Sequence, residues 1–325
     1  MKKRIAILAG GDSSEWVVSV NSAAQVKEIV DQELFDTKIV FIRDNDWHVK
    51  LGDELTAPVN RHDFSYESGD KHHSFDCVLI MIHGTPGEDG KLQGYFDVLG
   101  IPYTTCGVLT SSLTFNKDFT KSILKTHGIS VARSVLVKNS NTFDAQQTAD
   151  YLGLPCFVKP NKGGSSFGVT KAKTADILAE AIEHALKEDD EVLIEEYLQG
   201  TEITCGLMKT HDKSYVFPIT EIVSKNEFFD YEAKYTTGMA DEITPARISP
   251  ELEKECKTLS SHIYDLLECK GIVRIDYIYT NQKLYCLEIN TVPGMSRNSI
   301  VPQQIRAMGL SEREIFTKLL QDVMD

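Results

Sequence analysis

Two neighbouring stretches, GIVRIDYIY at residues 271–279 and LYCLEIN at residues 284–290, give the clearest indication of the fold. Side chains in a β-strand point to alternate faces, so Arg274 shares a face with Asp276, and Glu288 shares a face with Asn290. If residues 281–283 form a three-residue loop, the two stretches pair as an antiparallel hairpin. The loop length matters, because a loop of two or four residues would turn the polar side chains of the two strands to opposite faces.

The register that follows from a three-residue loop brings two acidic side chains together. It places Asp276 opposite Glu288 and Arg274 opposite Asn290, and opposed residues have Cβ atoms about 4.5–5.5 Å apart. Two carboxylates at that separation repel each other unless a cation lies between them. The oxygen donors of Asp276, Glu288 and Asn290 suit Mg²⁺ or Mn²⁺. Spacing alone leaves open a plain polar face on which Arg274 neutralises the acids.

Outward from the hairpin, β-branched runs alternate with helix-like segments. Such runs occur at 5–8, 38–42 and 77–82, and a helical pattern covers 91–99. This alternation predicts an α/β fold with a parallel sheet covered by helices, in which ligands bind at the carboxyl ends of the strands. Further strands are expected at 156–159, 167–172, 191–195, 202–209 and 214–221, and further helices at 143–152, 175–187 and 251–270, with N-caps at Asn116 and Ser311.

The composition excludes several classes of protein. With 34 Lys and Arg against 48 Asp and Glu in 325 residues, the net charge is −14, which argues against a general nucleic-acid-binding face. The apolar run at 5–9 is too short for a signal peptide, and the run at 77–82 is too short to span a membrane. The seven cysteines contain no C-x-x-C pair, so we expect reduced thiols in a cytoplasmic protein.

A glycine-rich run, KPNKGGSSFG at residues 159–168, lies between two predicted strands. Its backbone N–H groups, its serine hydroxyls and Lys159 would cradle phosphate oxygens. The run is not a Walker A motif, and a flexible turn is the alternative. The segment EEYL at 195–198 would accept a hydrogen bond from a purine amine, and Glu202 would hold a ribose.

The loop expected at 222–247 is too long for a simple connector. Its aromatic side chains, Phe228, Phe229, Tyr231 and Tyr235, surround Lys234. The functional interpretation is a lid that closes over a phosphate-bearing ligand and excludes water. The alternative is a packed Ω-loop.

Two further turns, at 10–15 and 83–90, each follow a predicted strand directly. Their position is where a ligand would be expected. The first turn lacks the spaced third glycine of a dinucleotide-binding fingerprint, so as a nucleotide site it is a weak candidate. A lone histidine such as His83 is more often structural than catalytic.

Eight segments follow one another in an order that resembles the D-alanine:D-alanine ligases of the ATP-grasp superfamily. They are GGDSSE with a serine four residues later at 10–19, HGTPGEDGKLQG at 83–94, NKDFTK at 116–121, KPNKGGSSFGV at 159–169, EEYLQGTE at 195–202, FFDYEAKY at 228–235, RID at 274–276 and EINTVPGMSRNSIVP at 288–302. The resemblance covers nearly the whole chain. It implies a three-domain ATP-grasp architecture: an N-terminal doubly wound parallel-sheet domain at 1–115, a central ATP-grasp subdomain at 116–198, and a C-terminal ATP-grasp subdomain at 199–325 with the lid at 222–247.

The resemblance also implies an activity and its cofactors. Two D-alanines would be joined to D-alanyl-D-alanine for peptidoglycan synthesis, through an acyl phosphate made with ATP. Two Mg²⁺ or Mn²⁺ ions would bind to Asp276, Glu288 and Asn290. The residues implied to bind ATP are Lys117, Lys159, Ser166, Glu195, Glu196, Leu198, Glu202, Phe228 and Lys234.

The implied amino-acid sites lie elsewhere in the sequence. The substrate-binding candidates are Glu15, His83, Arg274, Gly294 and Ser299. Glu15 would hold the ammonium of the first D-alanine and Ser299 the carboxylate of the second. Arg274 and the backbone N–H of Gly294 would stabilise the oxyanion that forms on the reacting carbonyl.

A hydrogen-bonded set of Glu15, Ser165 and Tyr235 is implied to latch the lid and to shape the second subsite. Relatives that make D-alanyl-D-lactate carry a different residue at the lid position. Tyr235 therefore favours synthesis of the dipeptide.

The chain departs from the usual family pattern at four places: Trp16–Val18, Asn161–Gly164, Phe228–Phe229 and Arg297–Asn298. These departures border the amino-acid subsites, so a ligase with D-lactate or another D-amino acid as its second substrate remains an alternative. A catalytically silent ATP-binding homologue is a further one. The expected partners are small-molecule substrates and a second copy of the chain in a homodimer, without nucleic acid or membrane.

Overall fold

Three β-sheets organise the protein, and each takes its strands from one part of the chain. The structure is a computed structural model that describes residues 2–52, 55–138, 143–164, 167–224 and 240–325. The strands are β1 (Lys3–Gly10), β2 (Phe35–Arg43), β3 (Asp46–Lys50), β4 (Thr56–Asn60), β5 (Ser65–Ser68), β6 (Lys71–His73), β7 (Cys77–Ile80), β8 (Ser134–Val137), β9 (Cys156–Pro160), β10 (Thr170–Ala172), β11 (Val192–Glu196), β12 (Thr201–Lys209), β13 (Ser214–Val216), β14 (Thr220–Ser224), β15 (Ala240–Ile243), β16 (Ile272–Thr280) and β17 (Lys283–Asn290). The helices are α1 (Trp16–Ile29), α2 (Lys91–Leu99), α3 (Val108–Phe115), α4 (Lys117–Thr126), α5 (Ala145–Leu152), α6 (Ala175–Ala185), α7 (Pro250–Leu266), α8 (Ile300–Ala307) and α9 (Glu312–Met324).

The first sheet has the order β6-β5-β4-β3-β2-β1-β7. Its centre, β2-β1-β7, is parallel and covered on both faces, as the buried apolar run of β1 predicts. The strands β3 to β6 extend it as an antiparallel meander. This meander was not predicted from the sequence, because its strands are short and rich in polar residues.

The C-terminal helix α9 belongs in space to the first sheet. Ile315 and Phe316 of α9 are buried in one apolar cluster with Ile5 and Ile7 of β1. The last residues of the chain therefore close the core of its first strands. The predicted domain boundaries stay a prediction, but packing in three dimensions does not follow them strictly.

The second sheet, β10-β9-β11-β8, is antiparallel and packs against α5 and α6. The helix α4 precedes it in the chain. The Asn116 side chain caps α4 as predicted, since its Oδ1 accepts a hydrogen bond from the Phe119 N–H at 3.1 Å. This cap fixes the position of Lys117, the first residue of the helix.

The third sheet has the order β15-β14-β12-β16-β17, and β13 also pairs with β12. The predicted hairpin is its β16–β17 pair, but the loop prediction was wrong. Thr280 pairs with Lys283, so the turn contains two residues, Asn281 and Gln282, both with positive φ.

The predicted register is nevertheless present. The register shifts between Asp276 and Tyr277, which pair with Glu288 and Cys286, so Leu287 is the extra residue of a β-bulge. The bulge adds the residue that the shorter turn lacks. Asp276 therefore faces Glu288, and Arg274 pairs with Asn290, as the three-residue loop had predicted.

Several predicted boundaries are corrected. The strand expected at 214–221 is divided into β13 and β14, and the helix expected at 251–270 ends at Leu266. The loop expected at 222–247 begins and ends in paired strands, because β14 pairs with β15 through Glu221 and Ile243. The N-cap of α9 is the predicted capping box of Ser311 and Glu314.

Two global expectations concern the membrane and the thiols. In the described part of the chain, we find no helix with the length and apolarity needed to cross a membrane. All seven cysteines are free and buried.

Candidate active site

A cavity of about 480 Å³ takes its lining from strands of the second and third sheets and from the start of α4. Nine of the predicted site residues line it: Lys117, Lys159, Glu195, Glu196, Leu198, Glu202, Arg274, Asp276 and Glu288. Residues that lie far apart in the sequence therefore meet in one place. The cavity has two chemically different walls.

The first wall, called the lysine wall here, consists of Lys117, Lys159 and Glu195, with Lys121 behind them. Lys117 Nζ donates a hydrogen bond to the carbonyl oxygen of Gly163 at 2.5 Å, so it lies against the glycine-rich run. Lys159 Nζ lies 2.6 Å from Glu195 Oε2. Burial lowers the pKa of Lys117, an effect that the nearby carboxylate of Glu288 opposes.

The carboxylate of Glu195 forms ion pairs with two lysines. Lys121 Nζ contacts Glu195 Oε1 at 2.5 Å, while Lys159 occupies the other carboxylate oxygen. Burial by itself would raise the pKa of Glu195, but Lys121 and Lys159 outweigh it and lower this pKa to about 2. Each carboxylate oxygen of Glu195 thus contacts one lysine, and its remaining lone pairs can still accept a hydrogen bond from a ligand.

Glu196 is similarly engaged, on the outer side of the same strand end. Its carboxylate accepts hydrogen bonds from the backbone N–H and the Nε of Arg133, both at 2.7 Å. Its side chain is thus tied to the segment before β8. Leu198 and Glu202 line the cavity further along the chain, where the prediction places adenine and ribose.

Buried Asn161 ties the glycine-rich run to α4. Its Nδ2 donates hydrogen bonds to Asn116 Oδ1 at 3.0 Å and to Glu191 Oε2 at 2.8 Å, and its Oδ1 accepts one from the Asp118 N–H at 2.9 Å. Its backbone carbonyl accepts a further hydrogen bond from the Lys117 N–H. Asn161 therefore fixes the separation between Lys117 on α4 and Lys159 on β9.

The second wall, called the hairpin wall here, consists of Arg274, Asp276 and Glu288, which line the cavity. Asn290 lies beside them, paired with Arg274, but outside the lining. Arg274 binds Asp276 through two hydrogen bonds, from Nε to Oδ1 at 2.8 Å and from Nη2 to Oδ2 at 2.7 Å. Asn290 Nδ2 adds a hydrogen bond to Asp276 Oδ2 at 3.0 Å, and Thr204 Oγ1 one to Oδ1 at 2.5 Å. The neutralisation of Asp276 by Arg274, the alternative left open by the spacing, is thus present in part.

Glu288 differs from Asp276 in its partners. Within the described ranges, its carboxylate forms neither a hydrogen bond nor an ion pair, although it faces Asp276 across the hairpin. Asn290 donates a hydrogen bond to Asp276 through its amide nitrogen, so its side-chain carbonyl oxygen is available to coordinate a cation. Two carboxylates and an amide oxygen fit a divalent cation. No cluster of three or more His, Cys, Asp or Glu side chains suited to a metal occurs among the described residues, so the amide is part of any such set.

Apart from Arg274, the amino-acid candidates form a second group, outside the lining of the cavity. A Cβ atom placed on Gly164 would lie 2.7 Å from Glu15 Oε2, so Glu15 touches the glycine-rich run. A Cβ atom on Gly294 would lie 3.1 Å from Ser299 Oγ, which places these two residues side by side.

His83 joins the two halves of this group. Its Nε2 lies 3.3 Å from Ser22 Oγ, which also accepts a hydrogen bond from the Met295 N–H at 3.3 Å. Burial lowers the pKa of His83, while the carboxylate of Glu15 opposes that effect. The loops that carry Glu15, His83 and Gly294 are therefore in mutual contact.

Five predicted residues fall outside the part of the chain that the structure describes. They are Ser165, Ser166, Phe228, Lys234 and Tyr235. Their roles stay predictions from the resemblance.

Two protein-family models match the chain. A family model for the D-ala D-ala ligase N-terminus matches residues 4–106, and one for the D-ala D-ala ligase C-terminus matches residues 123–321. This chain belongs to the D-alanine–D-alanine ligase family. The two matches together include the group around Glu15 and both walls of the cavity except Lys117 and Lys121, which lie between the matched ranges.

Curated members of the ligase family are similar to the chain over its whole length. The D-alanine–D-alanine ligase of Bacteroides fragilis is 49% identical over 323 residues, covering 99% of each chain. The ligase of Phocaeicola vulgatus is 50% identical over 323 residues, again covering 99% of each chain.

Solved structures of ligases share the ATP-grasp fold, which confirms the predicted fold class. The D-alanyl-alanine synthetase A of Vibrio cholerae aligns with a TM-score of 0.89 at 25% identity, covering 99% of this chain and 98% of the other. The VanG D-Ala:D-Ser ligase of Enterococcus faecalis aligns with a TM-score of 0.87 at 34% identity, covering 99% of both.

Three polar residues of this ligase were not predicted from the sequence, and two of them, Lys121 and Asn161, are buried. Lys121 and Asn161 were within quoted motifs but received no role, although Lys121 follows Lys117 by one helical turn. Glu88 accepts hydrogen bonds from the Gly84 and Val292 N–H groups at 2.7 and 3.3 Å, and so links two substrate loops. Burial, with a contribution from Glu15, raises the pKa of Glu88 to about 8.

Proposed function

We propose that this protein joins two D-alanines to D-alanyl-D-alanine with hydrolysis of ATP to ADP and phosphate, for peptidoglycan precursor synthesis. The observation that carries the proposal is the full-length identity of about half with curated D-alanine–D-alanine ligases. The cavity supports it, because lysines on one wall face carboxylates on the other, which is the arrangement a metal-bound triphosphate requires.

ATP would bind with its phosphates along the lysine wall. Lys117 and Lys159 supply positive charge there, and both lie against the glycine-rich run or its strand. Leu198 and Glu202 would hold the adenine and ribose at the other end of the cavity. Ser166, Phe228 and Lys234 complete the proposed set.

The hairpin wall would face the transferring phosphoryl group. Asp276, Glu288 and Asn290 would hold two Mg²⁺ or Mn²⁺ ions, which when bound neutralise charge that builds on the phosphates. Arg274 already has its guanidinium fixed in position by two hydrogen bonds to Asp276. A donor fixed in advance stabilises an oxyanion without having to reorganise during the reaction.

The reaction would take two steps. A carboxylate oxygen of the first D-alanine attacks the γ-phosphorus and ADP leaves, giving D-alanyl phosphate. The amine of the second D-alanine then attacks the acyl carbon, loses a proton, and phosphate leaves. Glu15 would bind the first ammonium and Ser299 the second carboxylate, with His83 and Gly294 between them. Ser165 and Tyr235 would join Glu15 in closing the site.

A different second substrate is the alternative that one observation favours. The similar VanG structure is titled a D-Ala:D-Ser ligase, and Arg297–Asn298 lie next to Ser299 in this chain. A homodimer and a cytoplasmic location are further parts of the proposal, which the family resemblance supports.

A substrate panel tests the proposed function. Purified protein with ATP and Mg²⁺ is supplied with D-alanine alone, and with D-alanine plus D-serine or D-lactate, and both released phosphate and the ligated product are measured. We expect D-alanyl-D-alanine from D-alanine alone. Turnover only with D-serine or D-lactate present would reject D-alanine as the second substrate. ATP binding without turnover would favour a silent homologue.

A further inference from the structure

A buried cluster of three charged side chains forms the back of the lysine wall: Lys121, Glu195 and Lys159. Lys121 Nζ lies 2.5 Å from Glu195 Oε1, and Lys159 Nζ lies 2.6 Å from Glu195 Oε2. Lys121 and Glu195 are each 6% exposed, and the Lys159 side chain is 14% exposed. One carboxylate is thus shared between two buried ammonium groups.

This sharing determines the charge that the wall presents. Glu195 neutralises one positive charge, so the cluster of two lysines and one glutamate carries one net positive charge. Without Lys121, Glu195 would pair with Lys159 alone and the pair would be neutral. An ion pair in a poorly solvated interior is strongly held, so Lys159 would then bind an incoming phosphate less readily.

Lys121 itself lies behind the wall. Among the described residues, Lys117, Lys159 and Glu195 line the cavity, whereas Lys121 does not. Lys121 follows Lys117 by four residues on α4, so both side chains project from one face of that helix. One helix therefore carries a lysine that faces the ligand and a lysine that faces Glu195.

We propose that Lys121 is a positioning residue that acts through Glu195: it occupies one carboxylate oxygen and so leaves the charge of Lys159 available to the phosphates of ATP. The identity of the ligand rests on the proposed function. Glu195 in turn holds the Lys159 ammonium group at the cavity wall.

The test compares variants by nucleotide binding and by steady-state kinetics. Lys121→Met removes the charge and keeps the aliphatic stem. We expect the Kd for ADP with Mg²⁺, measured by calorimetry, and the KM for ATP to rise roughly 10-fold, because the charge-assisted contact of Lys159 with the phosphates is weakened but not removed. The KM for D-alanine should change little, because the ion pair of Lys121 is with Glu195 and not with a described residue of the group around Glu15.

Three further variants separate charge from structure. Lys121→Arg keeps the charge and should stay within about threefold of the wild type. Lys121→Gln keeps a hydrogen-bond donor without charge and should lose affinity as Lys121→Met does. The double variant Lys121→Met with Glu195→Gln removes the unshared carboxylate and should recover much of the lost affinity. Lys125→Met, on an exposed part of the same helix, is the matched control and should bind nucleotide normally.

Two results would overturn the inference: Lys121→Gln with wild-type nucleotide affinity, or a double variant no better than Lys121→Met. Thermal melts of each variant identify loss of fold, and if Lys121→Met does not fold, Lys121→Gln against Lys121→Arg makes the same comparison. Failure of the wild type to ligate D-alanine would instead reject the proposed function. The inference about Lys121 would still be tested in that case, because the affinity of the variants for ADP is measured without turnover.

Discussion

The lysine wall and the hairpin wall face each other across one cavity but hold their charges differently. On the lysine wall, Glu195 is outnumbered by Lys121 and Lys159. On the hairpin wall, Asp276 is matched by Arg274, and Glu288 is left without a cation among the described residues. The first wall therefore has an excess of positive charge and the second an excess of negative charge.

The difference shows how an acidic protein can bind a triphosphate. The net charge of −14 would repel a polyanion at long range, but local charge at the cavity dominates at contact distance. Phosphate oxygens can meet lysines directly on one wall, whereas on the other wall the carboxylates require a divalent cation between them and the phosphates. Each wall thus contributes separately to binding of the triphosphate, and a substitution can remove one contribution while leaving the other.

Removal of Arg274 should have the largest effect. In Arg274→Ala, Asp276 loses its bidentate partner and the reacting carbonyl loses its proposed donor, so kcat should fall roughly 10²- to 10³-fold. ADP binding should fall much less, because the lysine wall is intact. Phosphate-release kinetics and calorimetry provide the two measurements.

The control for Arg274 is Arg4→Ala. Arg4 also pairs with an aspartate, Asp76, at 3.9 Å, but at the start of β1 and away from the cavity. It should retain normal kcat. An equal loss of ADP affinity and kcat in Arg274→Ala would contradict the assignment of nucleotide binding to the lysine wall and of catalysis to the hairpin wall.

Removal of Lys159 should have a smaller effect, located in nucleotide binding. Lys159→Met should raise the KM for ATP roughly 10- to 100-fold because a charged phosphate contact is lost. Lys162→Met is the matched control three residues along, since Lys162 Nζ pairs with Asp190 at 2.8 Å and Asp189 at 3.3 Å. Equal effects of the two substitutions would mean that the charge of the glycine-rich run matters but not the position of Lys159.

The smallest expected effect is on acid stability. Because the pKa of Glu195 is about 2 in the folded protein and about 4.3 in an unfolded chain, the folded state binds fewer protons there. The stabilisation of the folded state by ionised Glu195 is therefore complete above about pH 5 and is lost as the pH falls toward 2. In urea unfolding, the free energy of unfolding of the wild type should exceed that of Glu195→Gln by about 2–3 kcal/mol at pH 6. The difference should be clearly smaller at pH 3. A difference that is the same at both pH values would mean that the lysines do not hold this carboxylate ionised.

Predictions from the sequence were accurate where a local rule applied. The α4 cap at Asn116, the capping box at Ser311 and the helix at 91–99 follow from side-chain chemistry within a few residues, and all three are present. The pairing of Asp276 with Glu288 was predicted from the wrong loop length. The two-residue turn is compensated by a bulge at Leu287, which period-two alternation does not reveal.

Long-range contacts explain what the sequence analysis missed. Nothing near Lys121 in the sequence shows that Glu195, 74 residues away, lies against it. The same holds for Asn161, whose side chain joins α4 to Glu191, and for α9, which packs on β1. Each of these depends on how sheets and helices pack, which is set by buried apolar faces rather than by neighbours in the chain.

The sequence by itself determined the family, the α/β class and nine of the residues that line the cavity, because motif order and strand alternation depend on local residue types. Only the tertiary structure decided how the charges are shared. Asp276 is paired with Arg274, Glu195 is divided between two lysines, and Glu288 faces the cavity without a partner among the described residues. The physical reason is that an ionised side chain in a poorly solvated interior must be matched by whichever opposite charge the fold places beside it, and that neighbour is fixed by packing across the chain.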